Sequence, residues 1–590
     1  MAVSGRDWSR RYPPLGGAAI AAAIALFVLP SALNIPLTNP TQTLEFAPIP
    51  PDEDDTPPPD TGNLQSLSLG ESSTAPAADA PGGDGLGVPA PGTPSGVGDR
   101  PITKRCVGNP PRQTEDPLAP PCVAHFEGDN GGATFRGVDA NEVRVLVYMN
   151  GGTNQVTSRG VEAESSNKIV DLDDPPTSDD YVYTRLVRGY SIFFNDRFQA
   201  YGRRVHFFIH YGNSAKTPET RRSDAADGIA QTDPFAVISF AGDNADDYLD
   251  AAAEIGVVAL HGLLSGVSSN GFMADVFAAN PGRIWSHIPS IDKRAELFSS
   301  YVCQKVVPYP VSFSGNDDLG QPRRLGIIRT NNEDRDGELR YGQLVKQHVE
   351  ACGGEFLVDA TFGAGNTDVG AASANVAALN DRAVTTVIFP NAYDTAHSRA
   401  AAQIGYLPEW VVLGDYVSER PLQSRLQDQT AWAHARFVTN YPAVLDPQAQ
   451  PCVQAFEEAD PQEPSFEVRN YGCDCYPSLL QLFTGIQVAG PRLNVDNLDR
   501  GFHAIPAIRS DDPSVPACYY DVGDYTCVKD GQAQWWDPSG QTPGSSQPGC
   551  VRMMEGGRRY LAGQWPDGDV EAQRGDTASD PCNAQGPDVA

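Results

Sequence analysis

The chain has 590 residues, of which 43 are Lys or Arg and 75 are Asp or Glu, for a formal net charge of −32. A surface this acidic repels phosphate backbones and anionic headgroups, which excludes nucleic acid as a partner class. About a quarter of the length lacks any core-forming pattern, and the rest reads as one large bilobal unit.

Residues 1–38 place Arg6, Arg10 and Arg11 ahead of an Ala- and Leu-rich stretch at 15–33, the pattern of a signal sequence or an uncleaved signal anchor. The expectation is an exported protein at the cell surface or in the periplasm, tethered to the membrane through this segment. Residues 39–105 are rich in Pro, Gly, Asp and Ser, too poor in apolar groups to offset the entropy of ordering, and predict a disordered stalk. Cys106 and Cys122 bracket a Pro-rich loop with no core of its own, so a disulfide there is expected to close residues 106–135.

From residue 142 the chain alternates strand and helix. Glu142-Val-Arg-Val-Leu-Val-Tyr148 is a β-branched run that stops at Asn150-Gly151-Gly152. Val182, Leu186, Tyr190, Phe193 and Phe194 recur at helical spacing across 181–200, and 203–210 follows as a buried strand. Helix 218–231 and strand 235–240 repeat the pair. Asn244 is placed to cap a helix over 245–255, Gly256 to end it, and 257–260 is the next strand. A second set has strands at 325–329, 355–362, 384–389 and 410–413, separated by helices at 341–352, 368–381 and 394–405. Strands alternating with helices of this length predict parallel sheets covered on both faces.

Gly137-Val-Asp139, Gly189-Tyr-Ser-Ile-Phe-Phe-Asn195, Gly202-Arg-Arg-Val205 and Pro234-Phe-Ala-Val-Ile238 together resemble the type I periplasmic binding proteins, specifically the branched-chain amino acid (Leu/Ile/Val) receptors of ABC importers. Glu350-Ala-Cys-Gly-Gly-Glu355 and the helix from Tyr476 to Gly490 fit two later helices of that family, so the resemblance spans about 136–509. It implies an α/β fold of two doubly wound parallel-sheet lobes with a hinge. Lobe I is expected from 136–307 and 430–505, and lobe II from 308–429 and 506–565, with crossings near 308–322, 423–443 and 505–516. Lobe II carries a Cys-rich embellishment, and 566–590 is a disordered tail.

Eleven cysteines support export, and their odd number leaves at least one unpaired. Cys303 and Cys352 sit on predicted helices and read as buried free thiols. Cys452, Cys473, Cys475, Cys518, Cys527, Cys550 and Cys582 crowd the last quarter, a loop-rich region expected to be held by disulfides.

In facing doubly wound lobes, polar residues just after the strands line the gap. Here these are Asn150 and Gly152, Asp243 and Asn244, Leu264 and Ser265, Asn331 and Asn332, Asn391 and Tyr393, and Asp415 and Tyr416. The resemblance implies that loops after the third and fourth strands take a ligand α-carboxylate while a late acidic residue takes the α-ammonium. Asp415, after Trp410-Val-Val-Leu-Gly414, matches that acidic position. The carboxylate side departs from the pattern, with Asp243-Asn244 where Ser-Ser is expected, and a cationic, polyol, amide or peptide-like ligand is equally compatible.

The leading expectation is a binding protein that captures a small polar ligand for an ABC permease. A sensor subunit with the same fold is the alternative, and an exported enzyme comes third. Other motifs are weak. Ser265 is out of register for a nucleophile elbow, and Gly363-Ala-Gly365 lacks the Lys-Ser/Thr pair of a phosphate loop, so neither catalysis nor a cofactor is expected. Asn332-Glu-Asp334-Arg-Asp336-Gly337 has calcium-loop spacing but Gln343 at the twelfth position. Cys473-Asp-Cys475 lacks partners for a zinc site. His206 and His210 share a strand face roughly 13 Å apart, too far for one metal.

Overall fold

The computed structural model describes residues 106–107, 112–149, 154–157, 160–163, 167–177, 180–213, 217–240, 246–262, 274–331, 336–363, 369–390, 395–414, 421–460, 468, 473–569 and 580–584. The chain divides into two units, 1–85 and 86–590, and every described residue falls in the second. The expected signal segment and stalk therefore lie outside the described residues. Among the described residues, no helix is long and apolar enough to cross a membrane.

The first lobe is built on β1 (Glu142–Met149), β2 (Lys168–Asp171), α1 (Val182–Arg197), β3 (Arg204–Tyr211), α2 (Pro218–Thr232), β4 (Ala236–Ser239), α3 (Asp246–Glu254), β5 (Val258–His261), α4 (Ala274–Ala279) and β6 (Ile284–Ser286). Its sheet has the order β6-β5-β4-β1-β3-β2 and is parallel except for β2. Parity decides the two faces. Val143, Val145 and Val147 point to a core shared with α1, whereas Leu146 and Tyr148 point to one shared with α2 and α3. Both faces are buried from Val145 onward, which is why β1 turns there from the alternation of Glu142 to Arg144 into a continuous apolar run. α2 starts where Thr217 accepts from the Thr220 N–H at 3.3 Å and Pro218 opens the first turn.

The second lobe follows with α5 (Ile291–Tyr301), which continues as a π-helical turn (Val302–Val306), then β7 (Leu325–Thr330), α6 (Asp336–Ala351), β8 (Phe356–Phe362), α7 (Val369–Asp381), β9 (Thr386–Phe389), α8 (Ala396–Gln403), β10 (Glu409–Leu413), α9 (Pro421–Leu426), α10 (Gln429–Trp432) and β11 (Ala435–Thr439). The chain then returns to the first core with α11 (Pro451–Ala459), α12 (Cys473–Ala489) and α13 (Val495–His503), and closes the second lobe with β12 (Asp530–Gln541), β13 (Pro548–Met553) and β14 (Arg559–Leu561). The second sheet runs β8-β7-β9-β10-β11-β12-β13, with β14 also on β12; β12 is antiparallel to β11. These are the two parallel-sheet lobes expected from the alternation.

Several boundaries differ from expectation. Ile291, Leu297, Phe298 and Tyr301 of α5 pack with Ile327, Val411 and Trp535 in the second core, so the chain leaves lobe I at 287–290 and not after residue 307. Residues 308–322 do not cross. The Glu409 carboxylate accepts from the backbone N–H groups of Ser312 and Phe313 at 2.7 and 3.0 Å, which fixes this Pro-rich stretch to lobe II. Trp432, Ala435 and Phe437 also belong to lobe II, which moves the return crossing from 423–443 to about 440–450. Cys518, Tyr520 and Val528 pack in the first core, so the last crossing comes after residue 528 and not at 505–516. The expected tail is ordered in part: Cys582 bonds to Cys550, and the Val444 N–H donates to Asn583 Oδ1 at 2.9 Å.

Cys106 pairs with Cys122 as expected. Cys303 and Cys352 are not free thiols; they are joined, because α5 and α6 lie side by side and bring their Cα atoms to 5.9 Å. Cys452–Cys473, Cys518–Cys527 and Cys550–Cys582 hold the late region. Cys475 is a buried free thiol, its pKa pushed well up by burial.

Candidate functional site

Three crossings define how the two sheets face each other. β6 ends at Ser286, its carboxyl end, and runs straight into α5 of lobe II. Residues 526–528 travel in the same direction beside it: Thr526 pairs with Ser286 in parallel, and Cys527 and Val528 donate to Ser286 and His287 at 3.0 and 2.9 Å. They feed β12, which enters the second sheet opposite Thr439, the carboxyl end of β11. The return path leaves from that same end. All three crossings thus join the carboxyl edge of one sheet to the carboxyl edge of the other, and the two edges face one another across a cleft where α/β sheets bind ligands.

Polar clasps hold the crossings. Lys293 of α5 and Lys529 both pair with Asp524, the latter at 2.6 Å. Burial presses the Lys529 ammonium down to about 8 against the opposing pull of Asp524. Burial also opposes ionisation of Asp524, but the two ammonium groups prevail and hold its pKa below the usual carboxylate range.

The strand ends that frame the cleft are tied to their last described residues. Phe240 N–H donates to Tyr148 O at 2.8 Å and Gly262 N–H to Ser239 O at 2.9 Å. A side chain at Gly262 would sit 2.4 Å from that same Ser239 carbonyl, so glycine is what lets β4 and β5 end side by side. The Ser478 hydroxyl of α12 donates to His261 O at 3.1 Å, bringing the N-terminal turn of α12 to the same edge. In lobe II, Asn331 follows β7, is exposed, and is anchored by its backbone N–H to Phe362 O at 2.9 Å, with its amide 3.5 Å from the Thr361 hydroxyl. Asn331 is therefore on the cleft edge. Asn150, Gly152, Asp243, Asn244, Leu264, Ser265, Asn332, Asn391, Tyr393, Asp415 and Tyr416 lie outside the described residues.

The weaker motifs resolve into structural roles. The imidazole of His206 lies between Glu142 and Asp171, at 3.2 and 2.7 Å, with Asp173 nearby. Asp171, Asp173 and His206 are close enough to share a cation. Arg204 already grips Asp173 through two bonds of 2.7 and 2.6 Å, and the group sits by the amino end of β3, away from the cleft. His210 is buried separately with Asn167 at 3.1 Å, its pKa lowered by burial. Gln343, the twelfth position of the calcium-like loop, accepts from Arg329 at 3.3 Å, while residues 332–335 lie outside the described residues. Cys473 of the Cys-Asp-Cys motif is spent in a disulfide.

No family model matches the chain, and no curated protein matches it. Solved structures similar to it are type I periplasmic solute-binding proteins of ABC transporters, Leu/Ile/Val-binding proteins among them. One is a solute-binding protein from R. palustris in complex with 4-hydroxybenzoate, at 12% identity and a TM-score of 0.48, covering 73% of this chain and 100% of that one. Another is a leucine-binding protein from Thermotoga maritima, at 14% identity and a TM-score of 0.43, covering 67% and 95%. A third is a leucine-, isoleucine-, valine-, threonine- and alanine-binding protein from Brucella ovis in a closed conformation, at 11% identity and a TM-score of 0.45, covering 73% and 97%.

Proposed function

We propose that this chain is an extracytoplasmic solute-binding protein that closes its two lobes around a small polar ligand and presents the closed form to an ABC permease. The observation that carries this reading is the set of three crossings, each joining the carboxyl edges of the two parallel sheets. A rotation about such crossings opens or shuts the cleft without breaking either core. Five disulfides among the described residues support an oxidising, extracytoplasmic location. Asp415, one residue past Gly414, is the proposed acceptor for a ligand ammonium, and Asn150, Gly152, Asp243, Asn244, Leu264, Ser265, Asn331, Asn332, Asn391, Tyr393 and Tyr416 are proposed to complete the chamber.

The test is a thermal-shift screen over amino acids, amides, polyamines and polyols, followed by small-angle scattering with each hit. A ligand that binds only the folded form raises the melting temperature, and cleft closure reduces the radius of gyration. Hits that raise the melting temperature with no compaction would overturn the clamp reading.

A further inference from the structure

A cavity of about 320 Å³ lies at the hinge, apart from the strand ends that carry the expected ligand residues. Its walls come from distant parts of the sequence. Ile288 and Ala443 belong to two crossing segments, Val528 is the last first-lobe residue before the third, Leu118 belongs to the disulfide-closed loop, and Leu480 to the first turns of α12. The volume falls at the small end of ligand pockets, and a mainly apolar wall with few convergent polar groups is their usual character.

The charged groups have one sign. Asp116, Asp446, Asp474 and Asp512 line the cavity, and among the described residues no Lys or Arg does. His287 also lines it, with a pKa pressed down to about 4 by burial, so it is neutral near pH 7. Asp116 is 7% exposed. One of its carboxylate oxygens accepts the Leu118 N–H at 2.7 Å. The Tyr476 hydroxyl, on a residue 4% exposed, lies near this carboxyl without closing a hydrogen bond of good geometry. A buried carboxylate facing an apolar cavity, with a hydroxyl beside it, is a site whose electrostatic cost falls when a cation enters.

We propose that the hinge cavity is a second ligand site, fitted to a small organic ammonium with an apolar body, whose charged head meets Asp116 and Tyr476 and whose body lies against Leu118 and Leu480. An anion of the same shape meets four carboxyl groups, and a neutral isostere brings Asp116 no cation beyond Arg112, which does not line the cavity. Because the walls include two crossing segments and abut the start of the third, the cavity changes shape with the angle between lobes. A ligand there prefers one angle and biases closure. That consequence rests on the clamp reading above; the binding itself does not.

The probes are benzylamine, with benzyl alcohol and benzoate as isosteres, titrated into the full chain at pH 7.5 by calorimetry and saturation-transfer NMR. Benzylamine is expected to bind saturably and at least about tenfold more tightly than either isostere, the scale of one charge-assisted bond. Leu480→Trp and, separately, Ala443→Phe fill the cavity from different walls and should abolish binding. Asp116→Asn should bring benzylamine and benzyl alcohol within about threefold of each other, which decides the matter even where neither filled variant folds. Absence of saturable benzylamine binding to the folded wild type, binding unchanged in the filled variants, or an unaltered preference in Asp116→Asn overturns the site. Binding with no change in scattering leaves the site standing and removes its link to closure.

Discussion

The guanidinium of Arg294, buried on α5, donates to the carbonyl of Gly414 at 2.9 Å, and the Tyr341 hydroxyl of α6 donates to the adjacent Leu413 carbonyl at 2.6 Å. Two helices thus fix the last two described residues of the β10 end, immediately ahead of Asp415. Arg294 also lies over the ring of Tyr341, 5.3 Å from its centroid, which adds a cation–π contact in a water-poor setting.

Gly414 is the residue this grip depends on. Its φ of +70° is in the left-handed region, and a Cβ there would stand 2.1 Å from the Phe298 ring. Gly414→Ala therefore combines backbone strain with overpacking and should cost about 2–4 kcal/mol. Urea unfolding should show a lower midpoint at unchanged slope, together with weaker binding of any cleft ligand. A midpoint within error of wild type would mean that the β10 end is not held as described.

Glu409 should be harder to replace. Its fully buried carboxylate takes the Arg323 guanidinium at 2.7 and 3.0 Å besides the two N–H groups of Ser312 and Phe313. Glu409→Gln strands a buried cation, so a loss of roughly 3–5 kcal/mol is expected. Increased proteolysis within 308–322 should accompany it. Resistance there equal to wild type, with the stability loss present, would separate the ion pair from the anchoring of this loop.

That loop also shows where the sequence misleads. Pro308, Pro310 and Pro322 with Gly315 and Gly320 look like a linker by composition, and nothing local reveals that a glutamate 86 positions after Arg323 ties the segment down. By contrast, β1, α1, β3 and the strands of lobe II were legible, because burial on both faces leaves an unbroken apolar run and the helices keep their spacing. β12 was not legible. Gln532 and Gln534 are polar yet fully buried, Gln532 through a bond to Tyr441 O at 3.1 Å, a tertiary partner that periodicity cannot register. Of the twelve expected cleft residues, Asn331 alone falls among the described residues, at the end of β7. The hinge cavity left no trace at all in the sequence, since Asp116, Ala443 and Tyr476 meet only after the chain has crossed twice.

Joining Cys303 to Cys352 closes a loop with a sequence separation of 49 and staples the C-terminal ends of α5 and α6 together, on the side of lobe II where β8 begins. Replacing both by Ser should lower stability by about 2–4 kcal/mol. Intact-mass analysis of the non-reduced protein after alkylation should find one modified thiol in the unfolded wild type, from Cys475. Three modified thiols would show that this pair is not joined.

Asp116 gives a pH signature with a definite sign. Burial raises its pKa to about 6 from an ordinary 3.8, although the Leu118 N–H, Tyr476 and Arg112 oppose the shift. A raised carboxyl binds its proton more tightly when folded, so its contribution to stability is complete below pH 3.8 and is lost as pH rises through about 6. Asp116→Asn keeps an oxygen for the Leu118 N–H and carries no charge at any pH. It should exceed wild type by up to about 3 kcal/mol at pH 8 and converge with it near pH 3.5. A difference of the same size at both pH values would point to packing and not ionisation. A carboxylate retained at such a cost is consistent with a use for its charge in the cavity.

Asp415 is the proposed ammonium acceptor of the cleft, and its substitution tests that proposal. The β10 end, held by Arg294 and Tyr341, delivers the chain to the carboxyl edge of the second sheet at Gly414, the last described residue ahead of Asp415. A carboxylate in a closed, water-poor chamber forms its strongest bond with an ammonium, and that bond is what the amide of Asn cannot supply. Once the screen yields a cleft ligand with a cationic group, Asp415→Asn should weaken its binding by at least about 1.5 kcal/mol, a little over tenfold in Kd. The same substitution should leave benzylamine at the hinge unaffected, and Asp116→Asn should leave the cleft ligand unaffected. If affinity for a cationic cleft ligand is unchanged in folded Asp415→Asn protein, the amino-acid-like reading fails and a neutral ligand takes its place. Cross-effects between the two substitutions would instead indicate that both residues report on one shared site.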